Sequence, residues 1–324
     1  MIRIGMAGYW HVHAWGYTEL LQQRNDVTIA AVYDEDAVRG QEAATKLGVP
    51  FFADLGAFVA QDLDAVVVNT RTTAHRDVIV AAAKAGKHIF TEKCLATNMA
   101  DANAIARAVE EAGVKFCISY PQRCRAMFRA AKAAADAGRL GRITYMRVRI
   151  AHDGASRGWL PPHFYAQEDT GGGAMMDLGA HPMYLSAWIL GRPKRITSLF
   201  NTITGKPVED NAASLIAFEN GALCVAETSF VSQGCPDTLE LYGTAGMLVA
   251  GGPQGGVTIT AKDGEQSGWF RPQLGPDEPA PLAQFVDRLQ DGGEMPFGLA
   301  DALALTELME GAYRAAQAGC TQEF

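Results

Sequence analysis

Three groups of residues in this chain have the types and spacing to act chemically on a small molecule. The first is Glu92-Lys93, which follows the short run His88 to Thr91. If that run is a parallel strand, the pair sits at its carboxyl end, where ligands bind in open α/β sheets. A lysine there can orient a substrate hydroxyl and, as a fixed positive charge, lower the pKa of a neighbouring imidazole. Spacing alone allows a solvated surface pair equally well. The second group is Gly171-Gly172-Gly173 followed by Asp177 and His181. On a helix Asp177 and His181 share a face, and an Asp beside an imidazole orients it and supports a proton shuttle for alcohol oxidation. A histidine on its own would read more simply as a satisfied core residue. Pro182 lacks a backbone donor, so a kink or a helix start is expected there.

The third group is the turn Gly8-Tyr9-Trp10-His11-Val12-His13 after the run Ile2 to Ala7. Strand, glycine turn and helix N-terminus together can hold a pyrophosphate on backbone N–H groups. Only the first glycine of a GxGxxG pattern is present, with Trp10 and His13 at the other two positions, so an ordinary turn is the competing interpretation. Asp34 lies at the end of the next strand-like run, where a carboxylate can accept ribose hydroxyls or simply cap the following helix. Glu35 and Asp36 follow it, and no arginine is expected nearby. A 2′-phosphate would then meet repulsion of about 1 kcal/mol or more per charge, which favours NAD over NADP.

The elements that must position these groups follow a βαβ rhythm up to about Tyr120. Strands are expected at Ile2 to Ala7, Thr28 to Tyr33, Ala65 to Asn69, His88 to Thr91 and Lys115 to Ser119. Helices are expected at Ala37 to Leu47, His75 to Ala85 and Ala100 to Ala112, closed by Gly48, Gly86 and Gly113. Beyond Gly141 strand follows strand: Ile143 to Ala151, Arg195 to Ile203, Ala212 to Phe218, Ala222 to Ser229, Thr238 to Gly243 and Val257 to Thr260. Asn220-Gly221 predicts a type I′ hairpin with positive φ at both central residues. Helices at Met175 to Leu190 and Leu299 to Gln317 complete the second half. The fold class is α/β: a Rossmann parallel sheet in a domain of residues 1–120, then an α+β domain of residues 121–324 with a large, mostly antiparallel sheet. The terminal helix has the option of packing back on the first domain.

At 324 residues, 48% of them hydrophobic, the chain can build two cores. A net charge of −8 repels a phosphate backbone, which argues against a nucleic-acid partner. The N-terminus lacks the basic start and apolar core of a signal peptide, and no apolar run is long enough to span a bilayer. Six scattered cysteines without a CxxC pair fit a reducing cytoplasm. His152, Asp153, His163, Glu168 and Asp169 match no metal-ligand spacing, so no metal is expected.

Taken together, these segments resemble the Gfo/Idh/MocA family of sugar and inositol dehydrogenases nearly end to end. The likeness includes Asn69-Thr70-Arg71-Thr72-Thr73-Ala74-His75, Glu92-Lys93 in the place of the family's EKP, and Arg123. It continues through Gly171 to His181, Val208-Glu209-Asp210-Asn211, Phe218-Glu219-Asn220-Gly221 and a last helix ending Tyr313-Arg314-Ala315-Ala316. The resemblance implies Lys93, Asp177 and His181 as the catalytic group. It implies cofactor contacts from Gly8, Tyr9, Trp10, His11, Val12, Asp34, Asn69, Thr70, Arg71, His75, Glu92 and Lys93. Cys94 replaces the family's proline, and Tyr184 stands where many members place an Asp that binds polyol hydroxyls. His11 and His13 are alternative residues for the nicotinamide side.

The expected activity is therefore NAD(H)-dependent hydride transfer at a hydroxyl-bearing carbon of a sugar, cyclitol or derivative. His181 would be the acid/base, Asp177 would hold it, and Lys93 would polarise the reacting oxygen. Candidate substrate contacts, besides those three, are Arg123, His152, Arg157, Trp159, His163 and Tyr184. Two alternatives keep the fold: glycoside cleavage through transient oxidation, and a non-catalytic sensing module. A homodimer or homotetramer is expected through the second-domain sheet, whose strands carry apolar residues on both alternations. Failing that, the stretch from Gly264 to Pro281 would cover the open face.

Overall fold

The computed structural model describes residues 1–261 and 268–324. Residues 264–267, the start of the stretch expected as an alternative sheet cover, lie outside the described residues. The chain divides into two compact units, Met1–Ser119 with Pro279–Leu303, and Tyr120–Glu278 with Ala304–Phe324. The segment from Pro279 to Leu303, counted with the second half on sequence pattern, thus groups with the first unit.

In chain order the first part runs β1 (Ile2–Ala7), α1 (Ala14–Gln22), β2 (Val27–Tyr33), α2 (Ala37–Leu47), β3 (Phe51–Phe52), α3 (Leu55–Val59) and β4 (Ala65–Val68). It continues with α4 (His75–Lys84), β5 (His88–Thr91), α5 (Met99–Ala112) and β6 (Phe116–Ile118). Its six strands are parallel in the order β3-β2-β1-β4-β5-β6, with the direction of winding reversing between β1 and β4. That reversal opens a crevice at the carboxyl ends of the strands. β4 is the apolar run Ala65 to Val68, all four residues fully buried, as a strand covered on both faces requires. The helices end as their glycines predict. Gly48 and Gly113 take left-handed C-cap conformations, with φ of 68° and 62°.

The second part runs α6 (Pro121–Cys124), α7 (Ala126–Asp136), β7 (Ile143–Ala151), α8 (Gln167–Thr170), α9 (Ala174–Asp177) and α10 (Ala180–Leu190). Then come β8 (Pro193–Asn201), β9 (Asn211–Phe218), β10 (Leu223–Ser229), β11 (Thr238–Gly243), β12 (Gly246–Gly251), β13 (Val257–Ala261) and β14 (Trp269–Phe270). α11 (Pro281–Asp291), α12 (Leu299–Ala318) and β15 (Gln322–Glu323) close the chain. α11 and the residues after it join the first unit: the Ile118 N–H donates to Phe297 O, and Lys115 Nζ donates to the Arg288 and Gly293 carbonyls.

The second sheet has the order β14-β13-β12-β11-β7-β10-β9-β8-β15. β7 and β10 pair in parallel and the other neighbours antiparallel. α10 packs on β7 and β10, and its uniformly apolar sequence suits a helix buried nearly all round. The hairpin at Asn220-Gly221 departs from the type I′ expectation. Among the described residues no non-glycine residue has positive φ, and Gly221 alone adopts +88°. The Gly221 N–H closes a turn on Phe218 O, and the extra residue relieves Asn220 of a left-handed backbone. No helix among the described residues is long and apolar enough to cross a membrane.

Candidate functional site

In the first unit, the turn after β1 meets the residues after β4 closely. Gly8 has φ +90°, and a Cβ there would lie 2.8 Å from Thr70 N and 2.9 Å from Thr70 Cα. The His11 N–H donates to Asn69 O at 3.1 Å, tying the turn to β4. His13, at the head of α1, provides no side-chain cap, and the Ala14 N–H turns back to His11 O at 3.0 Å. Asn69 Oδ1 and Nδ2 and Thr70 Oγ1 are buried without a hydrogen-bond partner. Buried polar atoms carry a free-energy cost unless something satisfies them, and a dinucleotide laid on this turn supplies both donors and acceptors. The residues present therefore fit the cofactor. Tyr9 and Trp10 are buried beside the turn, while Val12 is 45% exposed.

Asp34 is engaged by the protein itself. Its Oδ2 accepts from Tyr9 N at 2.8 Å and Arg39 Nε at 2.9 Å, and its Oδ1 accepts from Asp36 N at 2.9 Å and Arg39 Nη2 at 2.6 Å. All four acceptor positions of the carboxylate are thus taken by the protein. The expectation that no arginine lies nearby is corrected: Arg39, in the first turn of α2, reaches back to Asp34, and Arg71 pairs with Glu35 at 2.9 Å. Two guanidinium groups against the three carboxylates Asp34, Glu35 and Asp36 reduce the charge that a 2′-phosphate would meet and leave the cluster net negative. In this arrangement Asp34 pins the Tyr9 backbone beside the turn. The helix-cap alternative belongs to Asp36, whose Oδ1 accepts from Val38 N and Arg39 N.

His75 is 1% exposed, and its ring bonds to the carbonyls of Cys94 (2.9 Å), Leu95 and Thr70, so it braces the loops around the crevice. Burial pushes its pKa down, ahead of the opposing hydrogen bonds to those carbonyls. The Lys93-Cys94 peptide, at the position of the family's proline, is cis.

Glu92, itself buried, is the centre of a cluster that sequence spacing did not reveal. His13 Nδ1 donates to its Oε1 at 2.8 Å, Tyr17 Oη donates to the same oxygen, and the Lys93 N–H donates to its Oε2 at 3.1 Å. Burial alone would raise this carboxyl, but His11, His13 and Lys93 outweigh it and hold it well below the usual carboxylate range. Tyr17 also bonds to Ser119 Oγ. His11, His13 and Glu92 each place a potential ligand atom within 4.8 Å of the others. The His13 N–H donates to His11 Nδ1 at 3.2 Å.

In the second unit, the glycine run before α9 is explained by close approach. A Cβ on Gly172 would collide with the Tyr313 hydroxyl, and one on Gly173 with Glu209 O. Glu209 Oε1 accepts from the Gly173 and Met175 N–H groups at 2.9 and 3.0 Å and from Tyr313 Oη at 2.6 Å, capping the segment that carries Asp177. Burial raises the Glu209 carboxyl against the pull of those bonds. Glu209 and Tyr313 entered the sequence reading only through the family likeness, because they lie far from Asp177 along the chain.

The expected single helix from Met175 to Leu190 is interrupted. The Gly179 N–H reaches Ala174 O, the His181 N–H reaches Leu178 O, and Pro182 has none to donate, so a new helix starts at Ala180. Asp177 therefore ends α9 and His181 opens α10, with the ladder shifted between them. His181 is 5% exposed, and its Nδ1 pairs with Tyr184 Oη at 2.9 Å.

Among the other substrate candidates, Arg123 on α6 lies over the Trp188 ring at 4.9 Å. His152 stacks on Phe230 and tilts against Trp159, whose Nε1 donates to Asp153 at 2.9 Å. Trp159 remains 53% exposed, Arg157 reaches toward Asp153, and His163 lies against Phe164. Two groupings thus form in this unit, one around His181 and one around His152.

The chain is similar to known proteins over both halves. Residues 2–120 match the model of an oxidoreductase family with an NAD-binding Rossmann fold, and residues 128–249 match a GFO/IDH/MocA C-terminal domain. The chain is 30% identical to 1,5-anhydro-D-fructose reductase of Ensifer adhaerens over 251 residues, covering 73% of this chain and 74% of the relative. It is 27% identical to scyllo-inositol 2-dehydrogenase (NAD(+)) of Bacillus subtilis (strain 168), covering 78% and 72%. Among solved structures, GenD2 from gentamicin A biosynthesis, in complex with NAD, superposes with a TM-score of 0.83 at 27% identity, covering 100% of this chain and 96% of that one.

Proposed function

We propose, from the premise that the chain belongs to the GFO/IDH/MocA family of oxidoreductases, that it transfers a hydride between NAD and a hydroxyl-bearing carbon of a sugar, cyclitol or derivative. NAD supplies the two-electron hydride acceptor when bound. The turn from Gly8 to Val12, the α1 N-terminus, Asn69 and Thr70 would hold it. The observation that carries the proposal is the buried His181 ring, hydrogen-bonded through Nδ1 so that its other nitrogen has a defined direction.

As the carbon loses its hydride, the hydroxyl proton passes to His181, and in the reverse direction His181 returns it to the carbonyl oxygen. Lys93 donates a hydrogen bond to that oxygen as its charge changes. The balance is alcohol and NAD⁺ to carbonyl, NADH and one proton. Substrates of the relatives, an anhydrofructose and an inositol by their names, set the chemical class. The assignment of NAD rests on the family and on the fit of the turn, and the charges around Asp34, Glu35 and Asp36, only partly offset by Arg39 and Arg71, favour it in the same direction.

A panel of sugars, cyclitols and anhydrosugars, followed at the NADH absorbance with NAD⁺ and NADP⁺ in parallel, tests this directly. The expected result is turnover with NAD⁺ on at least one polyol or sugar. Sugar release from a glycoside without net NADH would replace it by transient oxidation, and tight NADH binding with no turnover on the whole panel by a sensing role.

We further propose that the enzyme is a homodimer or homotetramer joined through the open sheet face, working in the cytoplasm, where its six free cysteines stay reduced. Ile216, Phe218, Cys224 and Ala226 are buried, whereas Leu199, Leu215 and Leu223 on the same sheet are 79%, 46% and 39% exposed. Arg147 and Glu227 pair at 3.1 Å within the sheet, adding a polar contact that two-fold symmetry would repeat. Light scattering is expected to give a multiple of the 34.7 kDa chain mass, and a monomer at micromolar concentration would reject the interface.

A further inference from the structure

His181 owes its orientation to a residue of unexpected type. The Tyr184 hydroxyl stands 2.9 Å from His181 Nδ1 and accepts the Gln122 N–H at 3.1 Å. That N–H belongs to the first turn of α6, where helical donors have no partner of their own, so it fixes the phenol oxygen firmly. The Tyr184 ring is 3% exposed and stacks on Tyr120 with centroids 4.1 Å apart and planes at 20°. Ring and oxygen are thus both constrained, and the oxygen faces two protein groups.

We propose that Tyr184 is the positioning residue of His181, holding the acid/base ring through an uncharged hydroxyl rather than contacting the substrate. A carboxylate partner only accepts hydrogen bonds, so it favours a protonated Nδ1 and stabilises the imidazolium. A phenol hydroxyl donates as well as accepts, so it pairs with Nδ1 in either protonation state of the ring. Through this bond the ring keeps one orientation while its proton comes and goes. The role rests on His181 being the acid/base.

Tyr184→Phe removes the hydroxyl and keeps the stack on Tyr120, so the fold is preserved. The expected result is a fall in kcat of about ten- to hundred-fold, with KM for the carbohydrate unchanged within about two-fold. Ring ¹⁵N chemical shifts, assigned to His181 by comparison with His181→Asn, are expected to move in Tyr184→Phe, because Nδ1 loses its partner. A raised KM with unchanged kcat and unmoved His181 shifts would make Tyr184 a substrate contact and overturn the proposal. If the wild type turns over nothing, the proposed activity fails, yet the ring shifts still decide whether Tyr184 holds His181.

Discussion

Replacing His181 by asparagine is expected to lower kcat on the best substrate by about two to four orders of magnitude, the range general acid–base catalysis contributes. Asparagine fills a similar volume and can still hydrogen-bond to Tyr184, but it neither takes nor returns a proton near neutral pH. The position is 5% exposed and opens α10, so a substitution of similar size leaves the surrounding packing in place. NADH binding should stay unchanged, since the turn that fits the nucleotide is built from residues of the first unit. Stopped-flow or steady-state kinetics at saturating NAD⁺ would measure the effect. Full activity in this variant would move the proton-transfer role to another group.

Gly8→Ala should damage cofactor binding most among single substitutions in the first unit. The methyl group meets Thr70 backbone atoms at 2.8 and 2.9 Å, and the residue must hold φ near +90°. Strain of this kind costs about 1–3 kcal/mol before the clash is counted. Relief requires the turn to move away from β4, which spreads the N–H groups that would face the pyrophosphate. NADH affinity should fall about ten-fold or more, as each 1.4 kcal/mol corresponds to a factor of ten. Fluorescence titration with NADH reads that loss, and a thermal scan should show a lower Tm. Gly298→Ala is the matched control in the first unit: its added Cβ meets nothing within 4 Å, so affinity should hold. Unchanged NADH affinity in Gly8→Ala would show that the turn does not contact the cofactor.

Some of this protein was determined locally by its sequence. β1 runs over Ile2–Ala7, β5 over His88–Thr91 and β7 over Ile143–Ala151, because these runs carry their own apolar pattern and are bounded by turn residues. Gly48 and Gly113 ended their helices because a left-handed backbone carries a steric penalty for other residues. Other strands escaped such patterns. Phe51–Phe52 spans two residues, and Gly246–Gly251 begins and ends in glycine, so each is a strand only through its neighbours' hydrogen bonds.

The tertiary structure alone decided which partner each site residue meets. Asp34 and Arg39 face each other because a strand-to-helix turn folds the first turn of α2 back over the strand end, a geometry that residue spacing does not encode. His13 reaches Glu92 across 79 positions, and Glu209 caps the Asp177 segment from 36 positions beyond Gly173. His181 took Tyr184 as the partner of its Nδ1 because α6 supplies the donor that fixes the phenol and Tyr120 supplies the face it stacks on. Residue type announces that a group can donate, accept or titrate. Whether it does so depends on which groups the fold brings within about 3 Å, where a hydrogen bond forms.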